Sequence, residues 1–483
     1  MIPARAAAPV FEPSSWGLAE FFVISQTAIP ALLFVPGAQG IRLYVRVASF
    51  AISLVLLAWW ALGSQSGSRP ASEAHPARPW LIAFIVYTAA MVMHPYTSST
   101  LGGVAQLVLY VAVMAPLFWA GSIVRTPDHL ARVMSLLLIC NGINALVGVL
   151  QVYDPNRWMP QEISRIVTDS AFGIDALTYM GPNGRIVRPP GLFDTPGAVA
   201  GPAMYAALLG LVYATSAHAW WKRVFALGGA FAGVAAIYLS QVRVSLVVLA
   251  IMLSGYVVVL SANQRVKRAS TFGLSAAAIV IGTFSFAVAL GGESIISRTY
   301  TLFAQDPVSL YSASRGGQLV YTFDEMIAEY PLGAGLARWG MIASYFGAGT
   351  PLWAEIQVAG WAIDGGIPLL LLGIAAPAIA LYSGLRLALS DRDAKVRACA
   401  AVVFAANLGT AALIFSFTPF VAQIGLQFWF LAGAVHAIAS PRVVAEGLRP
   451  SDSPTRSLAR HFAGALRARG SLRCARSRLS ANP

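Results

Sequence analysis

The sequence predicts an all-α, polytopic integral membrane protein, and three observations carry that expectation. Of the 483 residues, 57% are hydrophobic and only 11% are charged, whereas about a quarter are charged in soluble domains. The mean hydropathy is +0.67. The apolar residues also gather in 12 runs, each close to the ~20 residues that cross a bilayer as a helix. Lipid obliges each span to satisfy its own backbone hydrogen bonds, and unbroken runs do so as helices rather than as alternating barrel strands.

In chain order the runs lie near 19–37, 41–62, 79–95, 101–121 and 130–152, then 194–216, 222–240, 243–261 and 271–290, and finally 357–382, 397–417 and 420–438. They form one membrane domain, residues 1–440, followed by a basic tail, residues 441–483. The N-terminus carries a single Arg, Arg5, and leads into further spans rather than a cleavage site, so no cleavable signal is expected. Cys140 and Cys399 fall in spans and Cys474 in the tail, a distribution that suits packing rather than a disulfide framework.

Two polar stretches interrupt the hydrocarbon, at about 153–193 and about 291–353. Loops of that length are usually functional or disordered. The first contains Arg185-Ile-Val-Arg188-Pro-Pro-Gly-Leu-Phe-Asp194. Pro189-Pro190-Gly191 sets an extended turn there, and Asp194-Thr195-Pro196 is placed to cap the next span. In the second, Leu319, Phe323, Met326, Ile327 and Tyr330 recur at helical spacing and predict a helix over 314–330. Ser312 or Ser314 is the expected cap, and Pro331 the stop.

Arg and Lys placement gives the orientation. With both termini inside, internal segments hold 23 of the 33 basic residues and external loops hold 10, seven of them in the two long stretches. Both long loops are therefore expected outside. Nine Arg lie beyond residue 440. Within that tail, Ser457–Arg469 places Leu458, Phe462, Ala465 and Leu466 at helical spacing, which suits a strip lying on membrane lipids. A disordered basic tail is the plainer reading. No nucleic-acid-binding fold surrounds the charge, so nucleic acid is not an expected partner.

The chain has 30 Arg and three Lys, and all three Lys are internal. Every external cation is thus a guanidinium, the group that grips phosphate oxygens bidentately. Arg188 leads the candidates because the following prolines hold it, with Arg185 beside it; anchoring against lipid head groups is the alternative. Arg243 opens a span in Ser240-Gln241-Val242-Arg243, where charge is expensive and tends to be functional, although snorkelling also accounts for it. Arg315 precedes the predicted helix, and Arg338 follows it. Glu355 and Asp364 are candidate bases, or carboxylates paired to Arg at the interface. Arg338, Asp194, Asp324 and Glu325 also fit solvated or capping positions. The six His form no cluster, and His94 is the nearest to an external loop. No P-loop, GxGxxG, CxxC or HExxH occurs, so no nucleotide cofactor and no metal site are expected.

Over roughly residues 130–440 the chain resembles the O-antigen ligase and O-antigen polymerase superfamily of bacterial envelope glycan enzymes. The resemblance rests on Arg-x-x-Gly-x-Phe at 188–193, Ser-x-x-Arg at 240–243, Ser314-Arg315, Pro331-Leu-Gly333-Ala-Gly335 and Asp364-Gly365-Gly366, in that order. It implies about 12 transmembrane helices, a large periplasmic loop in the second half, and an active site outside the bacterial inner membrane. It also implies a metal-independent glycosyltransferase that takes glycans from undecaprenyl diphosphate carriers. Residue by residue, the diphosphate-binding role would fall to Arg188, Arg243 and Arg315, with Arg185 and Arg338 near them. Ligase-type members usually carry a His where this chain has Glu355. That departure tilts the expectation toward a polymerase of O-antigen, capsule or exopolysaccharide repeat units, with Glu355, Arg243 and Arg315 catalytic. The donor and acceptor would both be undecaprenyl-diphosphate-linked glycans, and a chain-length regulator is a possible partner. An O-antigen ligase or a protein O-oligosaccharyltransferase of the same superfamily remains an alternative. So do a lipid-linked oligosaccharide transporter or flippase and a shape-determining peptidoglycan glycosyltransferase.

Overall fold

A computed structural model describes residues 17–35, 37–65, 74–160, 163, 177–182, 184–304, 306–348 and 351–440. The tail, with the 457–469 strip and Cys474, lies outside the described residues.

The first half runs α1 (Leu18–Ala31), α2 (Arg42–Gln65), α3 (Arg78–Met91), α4 (Thr100–Met114), α5 (Pro116–Ile123), α6 (Pro127–Tyr153) and the single turn α7 (Pro155–Trp158). After the hairpin β1 (Thr178–Gly181) and β2 (Gly184–Val187) come α8 (Ala200–Ser216), α9 (Trp220–Ser240), α10 (Arg243–Ala262) and α11 (Val266–Gly291). The second polar stretch holds α12 (Glu293–Ala304), α13 (residues 307–329) and α14 (Gly340–Phe346). The chain then continues as α15 (Gln357–Ala388), α16 (Ala394–Ala412) and α17 (Gln423–Ile438).

Each of the 12 apolar runs contains a helix, but among the described residues only eight stretches are long and apolar enough to cross a membrane. These are Arg42–Gly63, Thr100–Ile123, Pro127–Tyr153, Trp220–Ser240, Arg243–Ala262, Val266–Gly291, Gln357–Ala388 and Ala394–Phe415. The expected dozen shrinks because several runs join a helix to apolar chain that is not α-helical. Run 194–216 begins in the loop ahead of α8, which has 17 residues. Run 79–95 continues past the end of α3 at Met91 into turns. A sum of side-chain hydropathies does not register where a helix stops.

Small residues bring the helices close. A Cβ on Gly210 of α8 would lie 2.6 Å from the Ala226 carbonyl of α9, and one on Gly233 of α9 would lie 2.6 Å from the Ala203 carbonyl of α8. Without a hydrophobic drive inside lipid, contact of this kind holds spans together by van der Waals packing. Buried side chains add cross-links: the Tyr205 and Thr410 hydroxyls share a hydrogen bond of 2.9 Å, and Asn407 donates to the Phe428 carbonyl. Burial covers 67% of the apolar window around α16 but only 17% of that in α11. α16 is therefore a core helix, and α11 presents most of its surface outward.

The polar stretches differ from expectation in detail. The first contains a two-stranded antiparallel hairpin with Tyr179 opposite Ile186. Among the described residues, the second holds three helices where one was expected. The helix predicted over 314–330 starts earlier, at Pro307, and its cap is Asp306, whose carboxylate accepts from the Ser309 N–H at 2.8 Å. Ser312 and Ser314 lie inside it. Two wide π turns, Ser312–Gly316 and Thr322–Met326, interrupt its regular winding.

Candidate functional site: a guanidinium cluster

Arg188 is held by its backbone. Its N–H donates to the Leu177 carbonyl at 2.9 Å, closing the base of the hairpin, and its carbonyl accepts from the Gly197 N–H. After Pro189-Pro190, both backbone groups of Gly191 bond to the Gln151 side chain, at 2.7 and 2.8 Å, and the Leu192 N–H donates to Asn144. Gly191 has φ +67°, and a Cβ there would collide with the side-chain Oδ1 of Asn144. Two polar residues of α6 thus clamp the turn that carries Arg188.

Asp194 does not cap the next span as expected. α8 begins at Ala200 with no side-chain cap. The Asp194 carboxylate is buried instead against Arg42 and Arg46 of α2, at 3.1 and 2.6 Å. Two nearby guanidinium groups outweigh the local reward of capping.

Arg243 follows a break between helices. Gln241 takes a left-handed conformation (φ 54°) that ends α9, and α10 starts at Arg243 itself. The Gln241 amide donates to Ser294 Oγ at 3.0 Å and Arg243 Nη1 donates to Thr301 Oγ1 at 3.0 Å, so α12 packs over the break. Arg298, one turn before Thr301, enters the same space. Tyr238, Gln241, Arg243, Leu246, Ile295 and Arg298 line one small recess.

The four guanidinium groups sense one another. Burial, then the Arg243 charge, lowers the proton affinity of Arg188. Burial, then Arg243 and Arg188, brings Arg298 down to about 10. Burial, then Arg188, pushes Arg315 down as well, with Tyr311 acting in the opposite sense. Both polar stretches and the start of α10 therefore share one end of the helix bundle. The Nε atoms of Arg188 and Arg298 are buried without a hydrogen-bond partner. Among the described residues, no carboxylate lies within 4.0 Å of a guanidinium nitrogen of Arg188, Arg243 or Arg298. Half-buried cations facing each other without counter-charge are destabilising unless an anion joins them.

Arg315 differs because it has a carboxylate. It sits on the first π turn of α13 and pairs with Glu355, whose other oxygen accepts from the Trp353 indole N–H at 3.0 Å. The approach of Glu355 to α13 is fixed by buried Gln318. The Gln318 carbonyl oxygen accepts from the Glu355 and Ile356 N–H groups, and its amide donates to the Trp353 carbonyl at 2.8 Å.

The remaining candidates stand apart. Arg185 lies on β2 opposite Met180, and the strand's alternation turns it to the exposed face while Ile186 points inward. Arg338 donates to the Tyr96 carbonyl at 3.1 Å, tying its loop to the end of α3. His94, whose ring is near Tyr96, belongs to that corner too. Asp364 is fully buried, with its oxygens taken by the Tyr110 hydroxyl at 2.6 Å and the Trp339 indole at 2.9 Å. It is a structural carboxylate at the break in α15. There Gly366 has φ +60°, and a Cβ would lie 2.1 Å from the Pro331 carbonyl. The Pro331–Gly335 and Asp364–Gly366 elements are thus two halves of one joint, closed by Ile367 N–H to Pro331 O at 2.9 Å and Ala334 N–H to Ile363 O at 2.7 Å.

Arg298 is the site residue that sequence reasoning missed. The only available signal was that it is one of three Arg in the second polar stretch; no motif marks it. No protein-family model matches the chain, and none of the curated proteins is significantly similar to it.

Proposed function

We propose that this protein is an inner-membrane glycosyltransferase that polymerises undecaprenyl-diphosphate-linked oligosaccharide repeat units on the periplasmic face. The observation that carries the reading is the convergence of Arg188, Arg243 and Arg298 from three separate segments, uncompensated by carboxylate. A diphosphate supplies several negative charges at the spacing of guanidinium forks. It satisfies the orphaned Nε donors and removes the repulsion between the cations.

In the reaction, an acceptor sugar hydroxyl attacks the anomeric carbon of the growing chain. The bond from that carbon to the phosphate oxygen breaks, and its electron pair leaves with the lipid diphosphate. Charge accumulates on the leaving oxygens as the transition state forms, and preorganised guanidinium groups there lower the barrier. Glu355 accepts a hydrogen bond from the attacking hydroxyl and then its proton. Its pairing with Arg315 and the bond from the Trp353 indole fix its rotation.

The membrane-crossing helices, the Arg cluster at one end and the motif order support this reading over a flippase, whose charges tend to lie at the midplane of the bilayer. Glu355 in place of the His of ligase-type relatives favours polymerisation over transfer to lipid A. The decisive experiment is glycan analysis of cells carrying Arg243→Ala at wild-type protein level. Short products with single repeat units exported are expected. Polymer of wild-type length and amount overturns the assignment, and repeat units trapped inside a deletion strain identify a flippase instead.

A further inference from the structure

Three charges are buried together next to the Arg188 turn, and none of them belongs to the cluster. Arg46 Nη2 reaches both oxygens of Asp194, at 2.6 and 2.7 Å, and Arg42 Nε lies 3.1 Å from one of them. The side chains are 13%, 10% and 4% exposed for Arg46, Arg42 and Asp194. A buried ion pair with this geometry is a poor source of net stability, because desolvation offsets most of the attraction. Loss of either partner, however, leaves an uncompensated buried charge. Such a group makes position sharply defined.

What it defines is legible from its other contacts. Arg42 Nη1 reaches the Ile163 carbonyl of the first polar stretch at 3.4 Å, and Arg46 Nη1 meets Met341 Sδ of α14 in the second at 3.8 Å. One turn of α2 therefore touches both stretches that feed the cluster. Between Asp194 and Arg188 the chain has little freedom: two prolines fix φ, and Gly191 and Leu192 are bonded to α6. A shift at Asp194 is carried to Arg188 through a stiff segment. Arg188 has no carboxylate of its own to orient it, so its placement depends on this backbone. The arrangement also keeps the acidic group away from the cations, since α2 consumes the Asp194 charge.

We propose that Asp194, held by Arg42 and Arg46, is the positioning residue for Arg188, a latch that sets the guanidinium against its anion without neutralising it. This rests on the diphosphate reading of the cluster. The test is the affinity of the purified full-length protein in detergent for inorganic pyrophosphate, measured by calorimetry. Arg188→Ala is expected to weaken binding by roughly ten-fold or more, as loss of a charged contact does. Asp194→Asn should produce a similar loss alone but less than about a two-fold further loss in the Arg188→Ala background, because residues acting through one another are not additive. The charge swap Asp194→Arg with Arg46→Asp should recover binding that either single change removes. If Asp194→Asn yields no folded protein, Arg46→Lys keeps the charge, loses the bidentate grip and is read the same way. Full additivity with Arg188→Ala, or unchanged affinity in folded Asp194→Asn and Arg46→Lys, overturns the latch and leaves the cluster reading standing. Unchanged affinity in Arg188→Ala overturns the cluster reading, and the latch falls with it.

Discussion

Arg188 and Arg298 each bury a guanidinium Nε that no group among the described residues accepts from, and burial, then Arg243, then Arg188 lower the proton affinity of Arg298. The pair comes from different polar stretches, on either side of the helices α8 to α11. Their proximity is a property of the fold, and it leaves a defined deficit of negative charge.

Removing one of these cations should stabilise the empty protein. Arg298→Met keeps the length of the side chain and deletes the repulsion, and is expected to raise the unfolding midpoint in detergent by the equivalent of up to about 1 kcal/mol. With pyrophosphate the order reverses. Wild type gains about 2.7 kcal/mol at 100 times Kd, and the variant gains less. A thermal-shift series with and without pyrophosphate reads both effects.

The charge state of Arg298 gives a pH dependence. Burial, then Arg243 and Arg188, depresses its folded value to about 10, so the unfolded chain binds more protons above that pH. Stability contributed by this group is therefore present only above the ordinary guanidinium range and lost as pH falls through about 10. Anion affinity runs the other way, weakening as pH rises through about 10. Calorimetry at pH ~10.5 in buffers of different ionisation enthalpy should show proton uptake on binding pyrophosphate, and near pH 8 it should show none from this group.

Glu355→Gln separates binding from chemistry. The amide cannot take a proton, and it weakens the hold on Arg315. Product formation in a reconstituted assay should fall roughly 10²- to 10⁴-fold, while pyrophosphate affinity stays within a few-fold of wild type. Parallel loss of both would assign Glu355 to binding instead.

The joint between Pro331 and Gly366 carries stability. Gly366→Ala demands a φ of +60° and drives a methyl group against the Pro331 carbonyl, which should destabilise the protein by about 2–4 kcal/mol. Denaturant unfolding of the purified variant measures it. Tyr110→Phe, which leaves an Asp364 oxygen without its donor, should cost about 1–3 kcal/mol by the same measurement.

Much of this architecture was legible in the sequence because hydropathy and helix length obey the same bilayer. The helices around Arg243 and after Glu355 were located from composition alone, whereas the expected dozen spans is not reached among the described residues. What remained hidden depends on facing rather than on spacing. Arg298 matters because of the side of α12 that turns toward Arg243, and that choice is made by the Gln241–Ser294 and Arg243–Thr301 bonds. Asp194 read as a cap because its neighbours fit one; its real partners lie on α2, far away in the chain. The Asp364-Gly365-Gly366 turn suggested a base, but burial and two donors make it structural.

The wide turns of α13 have a consequence for how this region tolerates change. Each accommodates one residue more than regular winding would, like an insertion absorbed within the helix. Deleting a single residue from Ser312–Gly316 restores ordinary pitch and rotates one flank against the other by about 100°. Arg315 and Gln318 then no longer address Glu355 and the Trp353 carbonyl together. Substitutions along this helix are judged by their chemistry, whereas its length is fixed almost to the residue.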